Sequence, residues 1–275
     1  GVQTCALPIY EPAYDDIIQA MSGLASLNKD ADGAPRFAPT IIADKVVGLH
    51  LALAILAGVV HRLKTGQGTA VEVPMFESMV AFLLVEHLAA KSFRPPQGSA
   101  GYERMLARNR RPYRTRDGYM AIMPYTSQQW TRFMECVGRA DLLNEEWVKD
   151  PVKRSANVDA LYQVIADAAP SKTNAEWQAL LKENDIPCGP VNGLDDLFAE
   201  PHLKAVEMFQ AVTHPSEGEM TSVRSAFRVP GTKRKPDRSA PRIGEGGEDI
   251  LREAGYSAGE IKNLVARRIV RVTAG

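Results

Sequence analysis

Apolar positions recur with a helical period over most of this chain and with a period of two in only a few short windows. Residues 15–27 place Ile17, Ile18, Met21 and Leu24 at i, i+1, i+4 and i+7, the spacing of a helix with one buried stripe. A polar loop follows over residues 28–39. Asp44 then opens the most apolar segment, and the pattern predicts a helix over 45–64 with Gly66 as its left-handed cap. Val71 and Val73 alternate with Ala70 and Glu72, which predicts a short strand over 69–73. Another apolar helix is expected over 76–92.

Residues 94–111, with Pro95, Pro96, Gly98 and Gly101, are loop-like. Asp117-Gly118 is a strong turn signal between two short strands, 113–116 and 119–123, and predicts a hairpin. Trp130, Phe133, Met134 and Val137 mark a helix over 127–138, and a further helix is expected over 157–169. Thr173 and Glu176 form a capping box that opens a helix carrying Trp177, Leu180 and Leu181. Pro187 and Pro190 make residues 186–191 too proline-rich for a central strand. Short helices around Asp195 and Pro201 lead to a strand pair near 209–213 and 221–229. A polar loop over 231–247 precedes two last helices, the final one capped by Ser257 and Glu260. No internal repeat or low-complexity tract is present.

Composition narrows the class. The chain has 275 residues, 45% hydrophobic and 24% charged, which excludes a disordered tail or a collagen-like fibre and suits about two domains. Lys+Arg and Asp+Glu are both 33, so no global charge draws the chain to nucleic acid or an anionic membrane. Cys5, Cys136 and Cys188 are too scattered for a zinc site or a disulfide framework, and a reducing cytoplasm is the simplest home. Residues 46–60 contain Gly48 and His50 and fall short of the ~18–20 residues a bilayer needs, so they read as a buried core helix. No basic region followed by an apolar one marks a secretory signal. Residues 1–9, GVQTCALPI, resemble a translated sequencing adapter fused in frame, and are set aside with Cys5 as a probable artefact.

Candidate chemistry is sparse. The nucleophile elbow, the zinc-protease helix motif, paired CxxC and the Walker loop are all missing. His50, His61, His87, His202 and His214 lie far apart in sequence, and His61 and His87 on their apolar helices read as structural. Arg108, Arg110, Arg111, Arg114 and Arg116 form a basic run, either a solvated hairpin edge or a contact to phosphates or a carboxylate. Lys233-Arg234-Lys235 reads as solvated charge. Asp44 stands where an apolar loop meets the most apolar helix. It suits an ordinary N-cap. The less ordinary reading is an ionised nucleophile beside free backbone N–H groups that could hold an oxyanion.

Five segments in order resemble the class III CoA-transferases, the CaiB/BaiF family. They are Tyr14-Asp15-Asp16-Ile17-Ile18-Gln19-Ala20-Met21-Ser22-Gly23; Ala43-Asp44 through Gly48-Leu49 and on to Gly68; Asn109-Arg110-Arg111-Pro112-Tyr113 through Tyr119; Ile186-Pro187-Cys188-Gly189-Pro190-Val191-Asn192; and Pro241-Arg242-Ile243-Gly244-Glu245. The resemblance runs from about Pro12 to Val270. It implies an α/β fold: a Rossmann-like large domain, here incomplete for lack of the family's N-terminal third, a small α+β domain, and two chains interlocked as a homodimer. The implied boundaries are 10–94 for the nucleophile-bearing part, 95–202 for the small domain and 203–275 for the return to the large one.

The resemblance also implies an activity of the formyl-CoA and carnitine CoA-transferase kind. Asp44 matches the nucleophile, which would pass CoA from an acyl-CoA to a carboxylate through mixed anhydrides and an aspartyl thioester. Acyl-CoA and a small carboxylate are the implied substrates, with no permanent cofactor, metal or ATP, no nucleic acid and no membrane. Tyr14 and Asp15 match positions beside the nucleophile, the acidic one being glutamate in formyl-CoA transferases. Met75 matches a residue lining the adenine site. Gly98 and Gly101 match a loop that closes over the intermediate, although the family's loop is richer in glycine. A sister branch, the 2-methylacyl-CoA racemases, has histidine where this chain has Tyr14, and a phenol of pKa near 10 is a poor partner for proton exchange. A third alternative is an inactive truncated remnant whose property is self-association.

Overall fold

The computed structural model of the chain describes residues 13–30, 32–227, 229, 231 and 239–273. Residues 1–9 and the Lys233-Arg234-Lys235 run lie outside them. The chain divides into two compact units, one ending at Val191 and the other beginning at Asn192.

The first unit opens with α1 (Asp15–Met21) and α2 (Leu24–Leu27), separated where Gly23 turns left-handed at φ +95°. The expected single helix over 15–27 is therefore two. Its buried face also differs from the apolar stripe. Asp15, Ile18 and Gln19 face inward, at i, i+3 and i+4, while Ile17 and Met21 are exposed. The inner face is polar because it has hydrogen-bonding work to do at the next helix.

That helix is α3 (Ile42–Thr65), followed by α4 (Met75–His87). α3 starts two residues before Asp44, with Ile41 as its N-cap, so Asp44 lies inside the first turn and is not the cap. It ends as expected at Gly66, left-handed at φ +75°. Ala43, Val47, Ile18 and Met79 form a small core between α1, α3 and α4, with Met75 packed against it.

The expectation of a buried core helix over 46–60 is overturned. α3 is 24 residues long, and only 6% of its most apolar window is buried. Leu49, Leu53 and Leu56 lie exposed along one stripe. Among the described residues α1 and α4 are its principal neighbours and residues 69–71 approach it at Gly58, while much of its circumference is exposed. By length and composition it is long enough to cross a membrane, a test that core helices of other proteins also pass. The expected strand over 69–73 is absent for a related reason. A strand needs a pairing partner, and among the described residues none pairs with it.

After α5 (Glu103–Leu106) comes a three-stranded antiparallel sheet in the order β1 (Tyr113–Arg114), β2 (Tyr119–Ile122), β3 (Cys188–Pro190). The hairpin places Tyr113 opposite Met120 and closes through Arg116-Asp117, with the Thr115 N–H bonded to the Gly118 carbonyl at 2.9 Å, so the turn lies one residue before the expected Asp117-Gly118 and β1 ends at Arg114 rather than 116. The proline-bearing β3 is an edge strand, as its missing N–H donors require. Between β2 and β3 lie α6 (Ser127–Cys136), α7 (Glu146–Lys149), α8 (Pro151–Ala156), α9 (Val158–Ala168) and α10 (Asn174–Glu183).

Their inner faces make the larger core. Phe133 stacks on Trp177 with ring centroids 6.4 Å apart, and Met120, Ile122, Tyr162, Ile165 and Leu181 close around them. Trp177 donates its indole N–H to the Ala169 carbonyl at 2.8 Å, which satisfies its one buried polar atom. The Thr173–Glu176 capping box forms as the sequence predicts. Asp117 adds a tie, accepting the Asn174 N–H at 2.8 Å and holding the hairpin turn to the start of α10.

The second unit contains α11 (Pro201–Ala205), a hairpin of β4 (Phe209–His214) and β5 (Gly218–Val223), then α12 (Gly247–Glu253) and α13 (Ala258–Ala266). β5 starts three residues earlier than the expected 221–229 strand and ends at Val223. Phe198 stacks on Phe209 at 4.4 Å, and Ser257 and Glu260 cap α13 reciprocally.

Candidate active site around the first turn of α3

An α-helix leaves its first amides without intrahelical acceptors. At α3 the acceptor comes from α1. Asp15 Oδ1 accepts the N–H of Ala43 at 2.7 Å and of Asp44 at 3.2 Å. Its other oxygen accepts Gln19 Nε2 at 2.5 Å. Asp15 is only 6% exposed, so this carboxylate is held by neutral donors and the positive end of the α3 dipole. Gln19 is fully buried. Its Oε1 accepts the Ala38 N–H at 2.8 Å and its amide also reaches the Thr40 carbonyl at 3.3 Å. Asp15 and Gln19, one turn apart, thus fix both the loop that enters α3 and the first turn itself.

Asp44 projects from this braced turn. It is exposed, and among the described residues its carboxylate takes no hydrogen bond. The carboxylate is free, and the backbone on either side of it is not. The amides at its own turn are spoken for: Ile42 N–H goes to the Thr40 carbonyl, and those of Ala43 and Asp44 go to Asp15. The expectation of free N–H groups here, ready for an oxyanion, is corrected accordingly.

Tyr14 adjoins this cluster in sequence. It is the N-cap residue of α1, makes no side-chain cap bond and is 78% exposed. Met75 starts α4 and packs on the Ile18–Met79 core. Gly98 and Gly101 lie beyond the end of α4. The Gly101 N–H bonds to the His87 carbonyl at 2.8 Å, and the Tyr102 N–H bonds to His87 Nδ1 at 3.1 Å. Gly101 sits at φ +118°, a backbone conformation that favours glycine. Asp15 and Asp44 are therefore brought together by direct bonds. Gly101 instead lines a different cleft, which neither Asp44 nor Gly98 lines.

His87 is buried and satisfied, as expected for a structural histidine. His61 lies exposed on α3. The arginine run splits by role. Arg116 pairs with Glu176 at 2.5 Å, Arg114 lies over the Tyr119 ring at 5.2 Å, and Arg108, Arg110 and Arg111 line the cleft. Gln19 was not singled out from the sequence. Its signal was present, a glutamine one turn after an aspartate on the same helix face.

Comparison with known proteins gives the family and the fold. A model of CoA-transferase family III matches residues 10–247. The chain is 26% identical over 270 residues to mouse succinyl-CoA:glutarate CoA-transferase, covering 95% of this chain and 60% of that protein. It is 28% identical over 252 residues to the succinyl-CoA:mesaconate CoA-transferase of Haloarcula marismortui, covering 90% and 62%. The chain thus spans about three-fifths of the length of these curated relatives. Its fold matches the crystal structure of a CaiB/BaiF family protein from Brucella suis with a TM-score of 0.67, at 24% identity over 88% of this chain and 63% of that one.

Proposed function

The chain belongs to CoA-transferase family III, and on that premise we propose that it transfers CoA from an acyl-CoA to a carboxylate with Asp44 as the covalent nucleophile. One observation carries this reading: a free, exposed carboxylate on a helix turn whose backbone is braced by Asp15.

The chemistry follows four balanced steps. The Asp44 carboxylate attacks the thioester carbonyl of the donor, forming a mixed anhydride and expelling CoA thiolate. The thiolate attacks the aspartyl carbonyl, giving an aspartyl thioester and releasing the donor's carboxylate. The acceptor carboxylate attacks that thioester, forming a second anhydride and again freeing the thiolate. The thiolate then attacks the acceptor's acyl carbon, which yields the new acyl-CoA and restores Asp44. One thioester replaces another, so neither ATP nor a metal is consumed.

Asp15 serves here as a positioning residue. Its bonds fix the backbone from which Asp44 projects, and a turn fixed in advance costs no ordering in the reaction. Tyr14, beside Asp15 in sequence, and Met75, Gly98 and Gly101 remain proposed contacts to substrate, inherited from family resemblance. A homodimer in the cytoplasm completes the reading. The uncovered stripe of α3 supports an assembled form, since an apolar face of that length is stabilised by a covering surface.

The test is an intact-mass measurement after incubation with succinyl-CoA and other acyl-CoAs, with Asp44→Ala beside it. An adduct of CoA or acyl mass, removed by hydroxylamine and missing from the variant, is expected. Unchanged turnover in Asp44→Ala would overturn the assignment.

A further inference from the structure

A cleft of about 1100 Å³ lies in the first unit between α2, the end of α4 and residues 100–112. Its rim carries Lys29, Arg108, Arg110 and Arg111. Among the described residues none of these four side chains makes an ion pair or a hydrogen bond. Asp30 is the acidic residue on the lining, and its Oδ1 is occupied by the N–H groups of Asp32 and Ala34. Four cations facing one engaged carboxylate leave a net positive wall.

The wall is built on an anchored turn. Asn109 sends its N–H to Asp159 Oδ1 at 2.7 Å and its side-chain amide to Asp159 Oδ2 at 3.1 Å. The arginines on either side stay exposed and unengaged. A second observation is independent of charge. Ser22 Oγ and the Tyr113 hydroxyl are buried side-chain polar atoms without a hydrogen-bond partner. Ser22 lines this cleft, whereas the Tyr113 ring packs in the larger core. A buried polar atom left unsatisfied in a protein calls for an explanation, and an absent ligand is one. The cleft also has an apolar side, formed by Leu84 and Leu106.

We propose that this cleft is an oxyanion-binding site, in which Arg108, Arg110, Arg111 and Lys29 hold a carboxylate or phosphate group and Ser22 Oγ donates a hydrogen bond to it. Guanidinium groups match both anions in a bidentate manner, and the Leu84–Leu106 side accepts a short aliphatic chain beside the charge. The two sources are the second carboxylate of a dicarboxylic acid and a phosphate of CoA. Only the link to substrate rests on the CoA-transfer reading, because the site's lining does not include Asp44.

Calorimetric titration of the 275-residue chain with glutarate and, separately, with inorganic pyrophosphate tests this. Butyrate, with one carboxylate, is the comparison. Binding of glutarate but not butyrate assigns a dicarboxylate, and binding of pyrophosphate assigns the phosphate source. Either is expected to weaken at least tenfold in Arg110→Gln/Arg111→Gln and several-fold in Ser22→Ala. It should persist in Lys149→Gln/Lys182→Gln, which removes equal charge elsewhere in the same unit, and in Asp44→Ala. Thermal melts of each variant check that the fold is retained. No binding of either anion at millimolar concentration, or binding unchanged in the double arginine variant, overturns the proposal. The Asp44→Ala arm keeps this result separate from failure of the transfer reading.

Discussion

Asp15 Oδ1 lies 3.2 Å from the backbone nitrogen of Asp44, so one acidic residue closes the end of the helix that carries the other. Removing the cap should be felt in folding. Asp15→Ala strands the amides of Ala43 and Asp44 and the Gln19 side chain, and is expected to cost about 2 kcal/mol or more. Asp15→Asn keeps an acceptor for the two amides and should cost about 1 kcal/mol. Urea unfolding of both variants measures the difference, and equal costs would argue against the cap.

Asp44→Ala should behave in the opposite way. Its side chain is exposed and unbonded, so stability is expected to change by no more than about 0.5 kcal/mol while covalent adduct formation is lost. A pair of variants in which Asp15 governs stability and Asp44 governs chemistry separates the two roles. A large loss of stability in Asp44→Ala would remove the distinction.

Glu176 supplies a pH signature. The Thr173 N–H and hydroxyl, with the Arg116 guanidinium, pull its carboxyl down to about 2. A group whose folded value is depressed stabilises the protein above its unfolded value, near 4.3, and that contribution fades as pH falls toward the folded value. The melting temperature of Glu176→Gln should therefore lie below that of the parent at pH 6, and the gap should narrow between pH 4 and pH 2.5. A gap independent of pH would assign the effect to packing.

The exposed stripe of α3 predicts association. Leu53→Glu/Leu56→Glu replaces side chains that are 64% and 61% exposed. Sedimentation velocity should show less self-association than in the parent, with little change in melting temperature. A sharp fall in melting temperature would mean that these leucines are covered within the folded chain.

The larger core rests on Trp177, which is 1% exposed and stacked on Phe133. Trp177→Ala is expected to cost about 3–5 kcal/mol. Circular dichroism during urea unfolding provides the readout. A cost below about 1 kcal/mol would contradict the packing described for this unit.

The sequence was most informative where the determinants are local. The capping boxes at Thr173 and Ser257, the left-handed Gly66 and the edge position of β3 all depend on residues a few places apart. Five short segments sufficed for the family resemblance, and Asp44 emerged from its position at the start of the most apolar helix. What the pattern misjudged was burial. Ile17 and Met21 follow a helical stripe yet face outward, and α3 is apolar yet largely uncovered. Hydrophobic periodicity records which side chains favour burial and says nothing about whether a neighbour is present to bury them. The service that Asp15 gives to α3 spans 28 residues. No local rule couples a carboxylate in one helix to the orphan amides of another. Only the tertiary structure decided that coupling, because an unsatisfied helix end accepts whichever acceptor the fold brings within hydrogen-bonding distance.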